Sequence, residues 1–280
     1  MKGLFLTILI SLGFSMNLIA QWNEVANLTT YDKKRIHFGF FLGTNFMDFG
    51  FSYYNKPSMN PSYVAPKPGD PAMNYDPNSF VAAEVSSLKP GFTVGIITSL
   101  RLYSWLDLRF LPGMSFGERT ISYPFYDKGM DTSATGVVTG GTGATGSTTS
   151  TNKIYTPYSY ISKSTYIDLP LLFKFKAQRA VNFRPYIVAG GSCRIDLETR
   201  DDDADLVKLK NLSYYADIGI GFDSFLQFFK FSGELRYSFG LNNVLGDIPT
   251  PSPENDFDPQ YMYPLKSLRP QVVSLIFYFE

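Results

Sequence analysis

The stretch QVVSLIFYFE, residues 271–280, ends the chain and guides the interpretation of the rest of the sequence. Side chains along an extended strand point alternately to opposite faces. One face of this stretch therefore consists of Val273, Leu275, Phe277 and Phe279, and the other carries Ser274, Tyr278 and Glu280. Because chain termini are usually polar and frayed, a strongly apolar last strand favours either a docked core strand or a strand that faces lipid. The remainder of the chain decides between these alternatives.

The first twenty residues have the layout of a secretory signal peptide. Met1 and Lys2 give a positive start, and residues 3–12 form an apolar run that is too short to span a bilayer well. The small residue Ala20 precedes Gln21 at the point where a signal peptidase would cut. We therefore expect residues 1–20 to be a signal peptide, 21–35 to be a polar, loosely ordered periplasmic segment, and 36–280 to fold.

The composition argues against several classes of function. The chain has 1 cysteine and 1 histidine, so a disulfide framework, a histidine metal cluster and a Ser-His-Asp triad are not expected. Lys plus Arg and Asp plus Glu both number 25, so the chain has no excess of positive charge that would predict binding to nucleic acid. Aromatic residues reach 16%, yet after the signal no run of about 18 apolar residues predicts a membrane helix. This combination is typical of membrane barrels, whose strands turn every second residue toward lipid.

Seven earlier stretches alternate apolar and polar residues in the same way as the last one. They are residues 36–49, 90–103, 106–119, 164–176, 183–197, 212–224 and 230–241. The connections are long after the first, third, fifth and seventh stretches and short after the others. Outer-membrane barrels show this asymmetry, with short periplasmic turns and longer extracellular loops. The sequence therefore predicts an all-β fold, an eight-stranded antiparallel transmembrane β-barrel in the bacterial outer membrane.

The polar faces of these strands carry many charges, which a membrane barrel would enclose. They are Arg101, Arg109, Asp168, Lys174, Arg184, Arg194, Asp217, Glu234 and Arg236. The interior of a barrel of about eight strands is just wide enough for side chains to fill. Because an unpaired buried charge is costly, we expect these residues to form a mutually neutralising network in the lumen. Glycines on the same faces, such as Gly95 and Gly221, are expected to make room for the long arginines.

Several strands resemble those of the PorT family, outer-membrane proteins of the type IX secretion system in Bacteroidetes. The similar stretches are HFGFFLGTNFMDF from His37, PGFTVGIITSLRL from Pro90, LDLRFLPGMSFGER from Leu106, STYIDLPLLFKFK from Ser164, RPYIVAGGSCRIDL from Arg184 and FSGELRYSFGLNNVL from Phe231, together with the last strand. The resemblance covers nearly all of the chain after the signal except the second long loop. It implies a part in export of cargo across the outer membrane and, in gliding organisms, in delivery of surface adhesins.

The resemblance brings no catalytic residue, cofactor or metal ligand, and the sequence offers none of its own. The implied partners are outer-membrane lipid and other secretion-system proteins, with no nucleic acid and no small-molecule substrate. Three alternatives stay open: a small barrel that binds a ligand or a protein at its loops, an outer-membrane enzyme, and a passive pore. The absence of an evident Ser or Asp partner for His37 argues against an enzyme, and a narrow, charge-filled lumen argues against a pore.

Overall fold

The computed structural model describes residues 25–63, 84–123, 158–197, 207, 209–248 and 262–280, so the predicted signal peptide, with Ala20 and Gln21, lies outside them. These residues form one antiparallel sheet of ten strand segments. The segments are β1 (Ile36–Tyr53), β2 (Glu84–Leu88), β3 (Pro90–Arg101), β4 (Leu106–Phe110), β5 (Gly113–Tyr123), β6 (Tyr158–Lys176), β7 (Phe183–Asp196), β8 (Leu212–Phe225), β9 (Lys230–Gly240) and β10 (Leu265–Phe279). Short 3-10 turns occupy Tyr31–Lys33 and Pro57–Met59. Over this part of the chain, none of the helices has the length and apolarity needed to cross a membrane.

The ten segments make up an eight-stranded closed barrel, because two of the barrel strands are interrupted. β2 and β3 follow each other across Lys89, and β4 and β5 follow each other across Leu111 and Pro112. β1 pairs with β10 on one side and with β3 on the other, which closes the ring. The antiparallel barrel predicted from the sequence is confirmed. The number of segments differs because each break lies beside a proline, Pro90 or Pro112, whose missing N–H cannot join the ladder.

The strand connections differ in length between the two ends of the barrel. The short ones are residues 102–105, 177–182 and 226–229, and the start of β1 and the end of β10 lie at the same end. Several strands extend further at the opposite end than the sequence predicts. β2, the first residues of β6 and the first residues of β10 all fall in stretches predicted as loops. Their backbones pair above the apolar band, where no lipid imposes an alternation of apolar and polar side chains.

The two faces of each strand have opposite exposure. Val273 and Leu275 are each 41% exposed on the outer wall, whereas Ser274 between them is buried in the lumen. In β1 the outward apolar side chains run from Ile36 to Phe46. At about 3.3 Å per residue and a tilt of about 40°, this run matches the apolar band of about 25 Å that membrane barrels present to lipid.

The closing strand β10 packs against its two neighbours, β1 and β9, through aromatic pairs on the lipid-facing surface. Phe279 stacks on Phe40 of β1 with ring centroids 4.9 Å apart. Phe277 stacks on Phe231 of β9 with centroids 5.8 Å apart. Such pairs stabilise a sheet by about 0.5–1.5 kcal/mol beyond their buried area. The last strand therefore packs on both of its neighbours in the wall.

A charge placed on the outer face of the closing strand should destabilise the barrel. We expect Leu275→Arg to lower the free energy of unfolding by about 2–4 kcal/mol, because an arginine near the bilayer midplane is costly. Ser274→Ala, which changes the neighbouring residue on the lumen face, is the control and should cost far less. Urea unfolding in lipid vesicles measures both. Equal stability of the two variants would contradict the face assignment.

Candidate functional site

The most distinctive chemistry of the described residues lies inside the barrel. Buried charged side chains point into the lumen from the strand segments β4 to β9. They are Asp107, Arg109, Arg119, Asp168, Lys174, Arg184, Arg194, Asp196, Asp217, Asp223, Lys230, Glu234 and Arg236. An eight-stranded barrel leaves space only for its own side chains. The arrangement of these groups therefore decides whether the lumen can conduct or bind anything.

One carboxylate, Glu234, organises the middle of the lumen. Arg109 donates from Nη1 to Glu234 Oε2 at 2.8 Å, and Arg236 donates from Nε to Oε1 at 3.0 Å. Tyr278 and Tyr186 donate their hydroxyls to the same carboxylate at 3.0 and 3.1 Å. The Arg109 guanidinium also lies 4.1 Å from the Tyr278 ring centroid, a cation–π contact. Two cations share one carboxylate here, and two tyrosines complete its hydrogen bonds in place of water.

A second group of charges lies nearer the extracellular end. Arg194 forms an ion pair with Asp168, with Nε 3.2 Å from Oδ1, and donates from Nη2 to Ser238 Oγ at 3.1 Å. Ser238 in turn donates to Asp217, and Ser115 donates to Asp168. Two buried carboxylates are therefore linked to one arginine, directly or through a serine. Such hydrogen bonds offset the high cost of removing charges from water.

A third group lies near the periplasmic end. Lys174 donates to both carboxylate oxygens of Asp223 at 2.6 and 2.9 Å, and Ser232 donates to Asp223 at 2.6 Å. Two more ion pairs join Lys230 to Glu280 at 2.8 Å and Lys176 to Asp107 at 2.6 Å. Each of these cations has its own carboxylate. The periplasmic third of the lumen is thus closed by side chains that satisfy one another.

Apolar side chains fill the space between the charges. A buried cluster in the lumen contains Phe41, Ile97, Leu111, Leu172, Val188 and Ile276 together with the two tyrosines. A Cβ atom at Gly95 would lie 2.6 Å from Phe41 Cζ, and one at Gly221 would lie 2.5 Å from Tyr186 Cζ. The expectation that the lumen glycines make room for arginines is therefore wrong. At these two positions they make room for aromatic rings, and elsewhere for apolar side chains such as Met47 at Gly117 and Val188 at Gly219. These side chains leave little space for water.

The extracellular end of the lumen is covered by apolar residues from strands and loops. Phe49 packs with Val207, Val244, Leu245, Met262, Leu265 and Leu268. Beneath this cluster, Arg119 places its guanidinium 3.9 Å from the Phe49 ring centroid. It donates to Tyr166 at 2.6 Å and to Ser164 at 3.1 Å, and among the described residues it has no carboxylate partner. Aromatic and hydroxyl groups thus replace a counter-ion at this depth.

Residues 25–34, which we call the periplasmic strap, cross the opposite end of the lumen. The Asn27 backbone donates to Asn182 Oδ1 at 2.8 Å, and its side chain donates to the Phe225 carbonyl at 3.1 Å. Tyr31 stacks on His37 with ring centroids 3.9 Å apart and donates to the Glu280 side chain at 2.9 Å. The strap therefore contacts two periplasmic turns and the end of the closing strand. The segment is more ordered than the sequence predicts.

An ion pair fixes the strap over the lumen. Arg184 donates from both terminal nitrogens to the Asp32 carboxylate, at 3.0 and 2.6 Å. Partial burial alone would raise the pKa of the Asp32 carboxyl group. The hydrogen bonds and charge of Arg184 outweigh that effect and lower this pKa. The partner of Arg184 thus comes from the strap, and not from another barrel strand.

The structure distributes the predicted lumen charges among separate groups instead of one network. Arg109, Glu234 and Arg236 lie together, and so do Asp168, Arg194 and Asp217, whereas Lys174 pairs with Asp223 and Arg184 with Asp32. Arg101 is half-buried at the periplasmic mouth, opposite Asp107 in the strand pairing, and within the described ranges it forms no ion pair. The buried apolar cluster around Phe41 and Ile276 lies between these groups, which explains why the charges do not form one network. The same part of the chain shows no cluster of metal-binding side chains.

The match to a protein-family model agrees with the fold, and two solved structures show a distant similarity. A family model described as an outer membrane protein β-barrel domain matches residues 19–246. The structure of the outer membrane protein AlkL in lipid bilayers is 11% identical and covers 86% of this chain and 90% of its own, with a TM-score of 0.37. A Pseudomonas aeruginosa FadL homologue is 8% identical and covers 90% and 92%, with a TM-score of 0.20. A search of curated proteins finds no match.

Removing the central carboxylate should destabilise the barrel strongly. We expect Glu234→Gln to lower the free energy of unfolding by about 3–5 kcal/mol, because it leaves two buried arginines without an anion. Glu118→Gln is the matched control. Glu118 pairs with Lys89 where the side chains are 31% and 43% exposed, and such pairs contribute at most about 1 kcal/mol. Urea unfolding measures both variants. A similar loss of unfolding free energy in the two would contradict a lumen that excludes water.

The strap should contribute stability that depends on pH. Because Arg184 lowers the pKa of Asp32, the contribution is fully present above the ordinary value of 3.8 and disappears as the pH falls below it. We expect the difference in unfolding free energy between the unmodified protein and Asp32→Asn to shrink from about pH 6 to about pH 3. A difference that stays constant over this range would show that the ion pair does not hold the strap.

Proposed function

This chain belongs to the family of outer-membrane proteins with a β-barrel domain, and we propose that it serves type IX protein secretion and gliding as a non-enzymatic component. Its location is the outer membrane. The choice of secretion system rests on the strand stretches that resemble the PorT family. In this proposal the protein acts through other secretion-system proteins and is not the conduit for cargo.

The filled lumen is the observation that carries the proposal. Glu234, Arg109, Tyr186 and Tyr278 occupy the centre of the barrel and bond to one another. The buried apolar cluster lies beside them, and the periplasmic strap crosses the periplasmic end of the lumen. A cargo protein would have to break buried ion pairs to enter. A secretion role must therefore be exercised from the outer surfaces of the barrel.

The surroundings of the histidine support a non-enzymatic role. His37 stacks on Tyr31 beneath the strap, and its strand partner is Ser99. Within the described residues, no side-chain hydrogen bond joins His37 to Ser99 or to Asp107, both of which line the same small cavity. A general base needs a hydrogen bond to the group whose proton it takes. The strap also covers this histidine, which restricts access for a substrate.

The periplasmic end offers a surface on which protein partners could dock. Phe228 at the tip of the turn between β8 and β9 is 88% exposed, and Tyr103 and Trp105 are exposed in the turn between β3 and β4. Lys33 and Lys34 of the strap are also exposed at this end of the barrel. Aromatic side chains are enriched at protein interfaces and at membrane interfaces. This surface is the one we assign to contacts with other secretion components.

A second candidate function is supported by the extracellular cap. Two loops contribute Val207, Val244, Leu245 and Met262 to an ordered apolar cluster. Ordered loops on a rigid barrel can present a binding surface for a ligand or a protein. A small barrel that binds through its loops, with no part in secretion, would use this end.

Deletion of the gene followed by an assay of secreted cargo tests the proposal. We expect the deletion strain to lose cargo from the medium and to regain it when the unmodified protein is supplied. A variant with alanines in place of Phe228 and Trp105 should fold and reach the outer membrane but restore secretion poorly, because it lacks the periplasmic aromatic surface. Val181→Ala, which changes the remaining periplasmic turn, residues 177–182, is the control and should restore secretion. Normal secretion in the deletion strain would favour the loop-binding alternative.

A conductance measurement separates an accessory role from a pore. The purified protein in a planar bilayer should show no large, steady conductance, because its lumen is filled. A stable channel formed by the isolated barrel would refute this part of the proposal.

A further inference from the structure

The lipid-facing wall contains a groove in its periplasmic half. It has a volume of about 800 Å³ and lies on the outer face of β7, β8 and β9, between Phe175 and Trp105 on one side and Leu275 and Phe277 on the other. The side chains that line it come from the periplasmic ends of these strands. The groove is therefore outside the lumen, at the depth of the inner leaflet. Its volume falls within the range of about 300–1,000 Å³ that is usual for small-molecule sites.

A glycine opens this groove in the wall. Along β9 the outward positions are Phe231, Gly233, Leu235 and Tyr237, so Gly233 is the one without a side chain among bulky neighbours. A Cβ atom at Gly233 would lie 3.0 Å from the Phe222 ring, which shows that this ring rests over the glycine. Beside it, Ile220 of β8 is 62% exposed on the outer face. The Phe222 ring thus takes the place of a side chain at Gly233, and the wall of the groove around this pair is apolar.

We propose that this groove is a binding site for an acyl chain of a phospholipid from the periplasmic leaflet. The groove is continuous with the apolar wall that faces the bilayer, so acyl chains are the molecules in contact with it. The outward side chains around it, such as Ile187, Ile220 and Leu235, are apolar. Three polar residues also border the groove, but their side chains bond to other residues of the barrel: Lys176 to Asp107, and Tyr186 to Glu234. A recessed apolar site gains more contact with a flexible chain than a convex wall does.

The depth of the groove specifies the leaflet. Phe183 and Phe222 lie at the periplasmic ends of β7 and β8, and no residue around the groove is more than about five positions from such an end. At about 3.3 Å per residue along tilted strands, this is less than the thickness of one leaflet. The site therefore accepts a chain whose headgroup lies on the periplasmic side. It goes beyond the proposed secretion role and does not depend on it.

Native mass spectrometry of the barrel purified in mild detergent tests the site. Gly233→Leu pushes the Phe222 ring into the groove, and Ile220→Trp fills the groove from an exposed position that does not touch the lumen. Ala216→Leu adds the same kind of apolar volume to an exposed position of β8 outside the groove, and serves as the matched control. The heat-dependent gel mobility of each variant shows whether its barrel is folded.

We expect the unmodified protein and Ala216→Leu to retain one phospholipid through purification. Its occupancy should fall roughly tenfold in Gly233→Leu and in Ile220→Trp, because a side chain then takes the place of the ordered acyl chain. If neither folded variant loses lipid, or if the unmodified protein retains none, the proposal is wrong. A second copy of the chain, or another protein, retained in place of lipid would also overturn it.

Discussion

Charges inside a narrow barrel must find their partners among the side chains of the barrel itself, and the rest of this structure depends on that constraint. Eight strands leave an interior only wide enough for side chains, so water cannot serve as the solvent for Arg109 or Arg236. An unpaired charge there would cost several kcal/mol. Glu234 is the counter-ion of both arginines, and it accepts hydrogen bonds from them and from two tyrosines. The result is a packed core, and in the function we propose the protein therefore acts through its surfaces.

The two ends of the lumen are closed by different physical means. Apolar residues cover the extracellular end, where Phe49 and Arg119 form the boundary between the cap and the charged interior. The periplasmic strap covers the other end through the ion pair of Asp32 and Arg184. Hydrophobic closure does not respond to pH near neutrality, whereas the ion pair weakens in acid. The strap is therefore the closure whose stability depends on pH.

Alternation of side chains predicted the barrel well, because lipid and lumen impose opposite demands on successive residues. The same alternation places Ile276 on the inward face of the last strand, but it does not show that this side chain packs into a buried apolar cluster in the lumen. It also could not match Arg184 with Asp32, since that pairing depends on a turn outside the strands. The partner of Lys174 was within reach, because Asp223 stands on the polar face of its own strand. The groove at Gly233 arises from packing between strands, and the sequence of one strand does not show it.

The claim that the lumen is dry and filled is tested most directly by water-edited solid-state NMR of the barrel in lipid bilayers. The experiment measures how fast magnetisation passes from mobile water to the guanidinium protons of Arg109 and Arg236. The structure predicts slow transfer to both arginines and fast transfer to the exposed side chain of Lys33. Equally fast transfer to all three side chains would show a water-filled lumen. It would contradict a packed interior in which the charged side chains bond to one another.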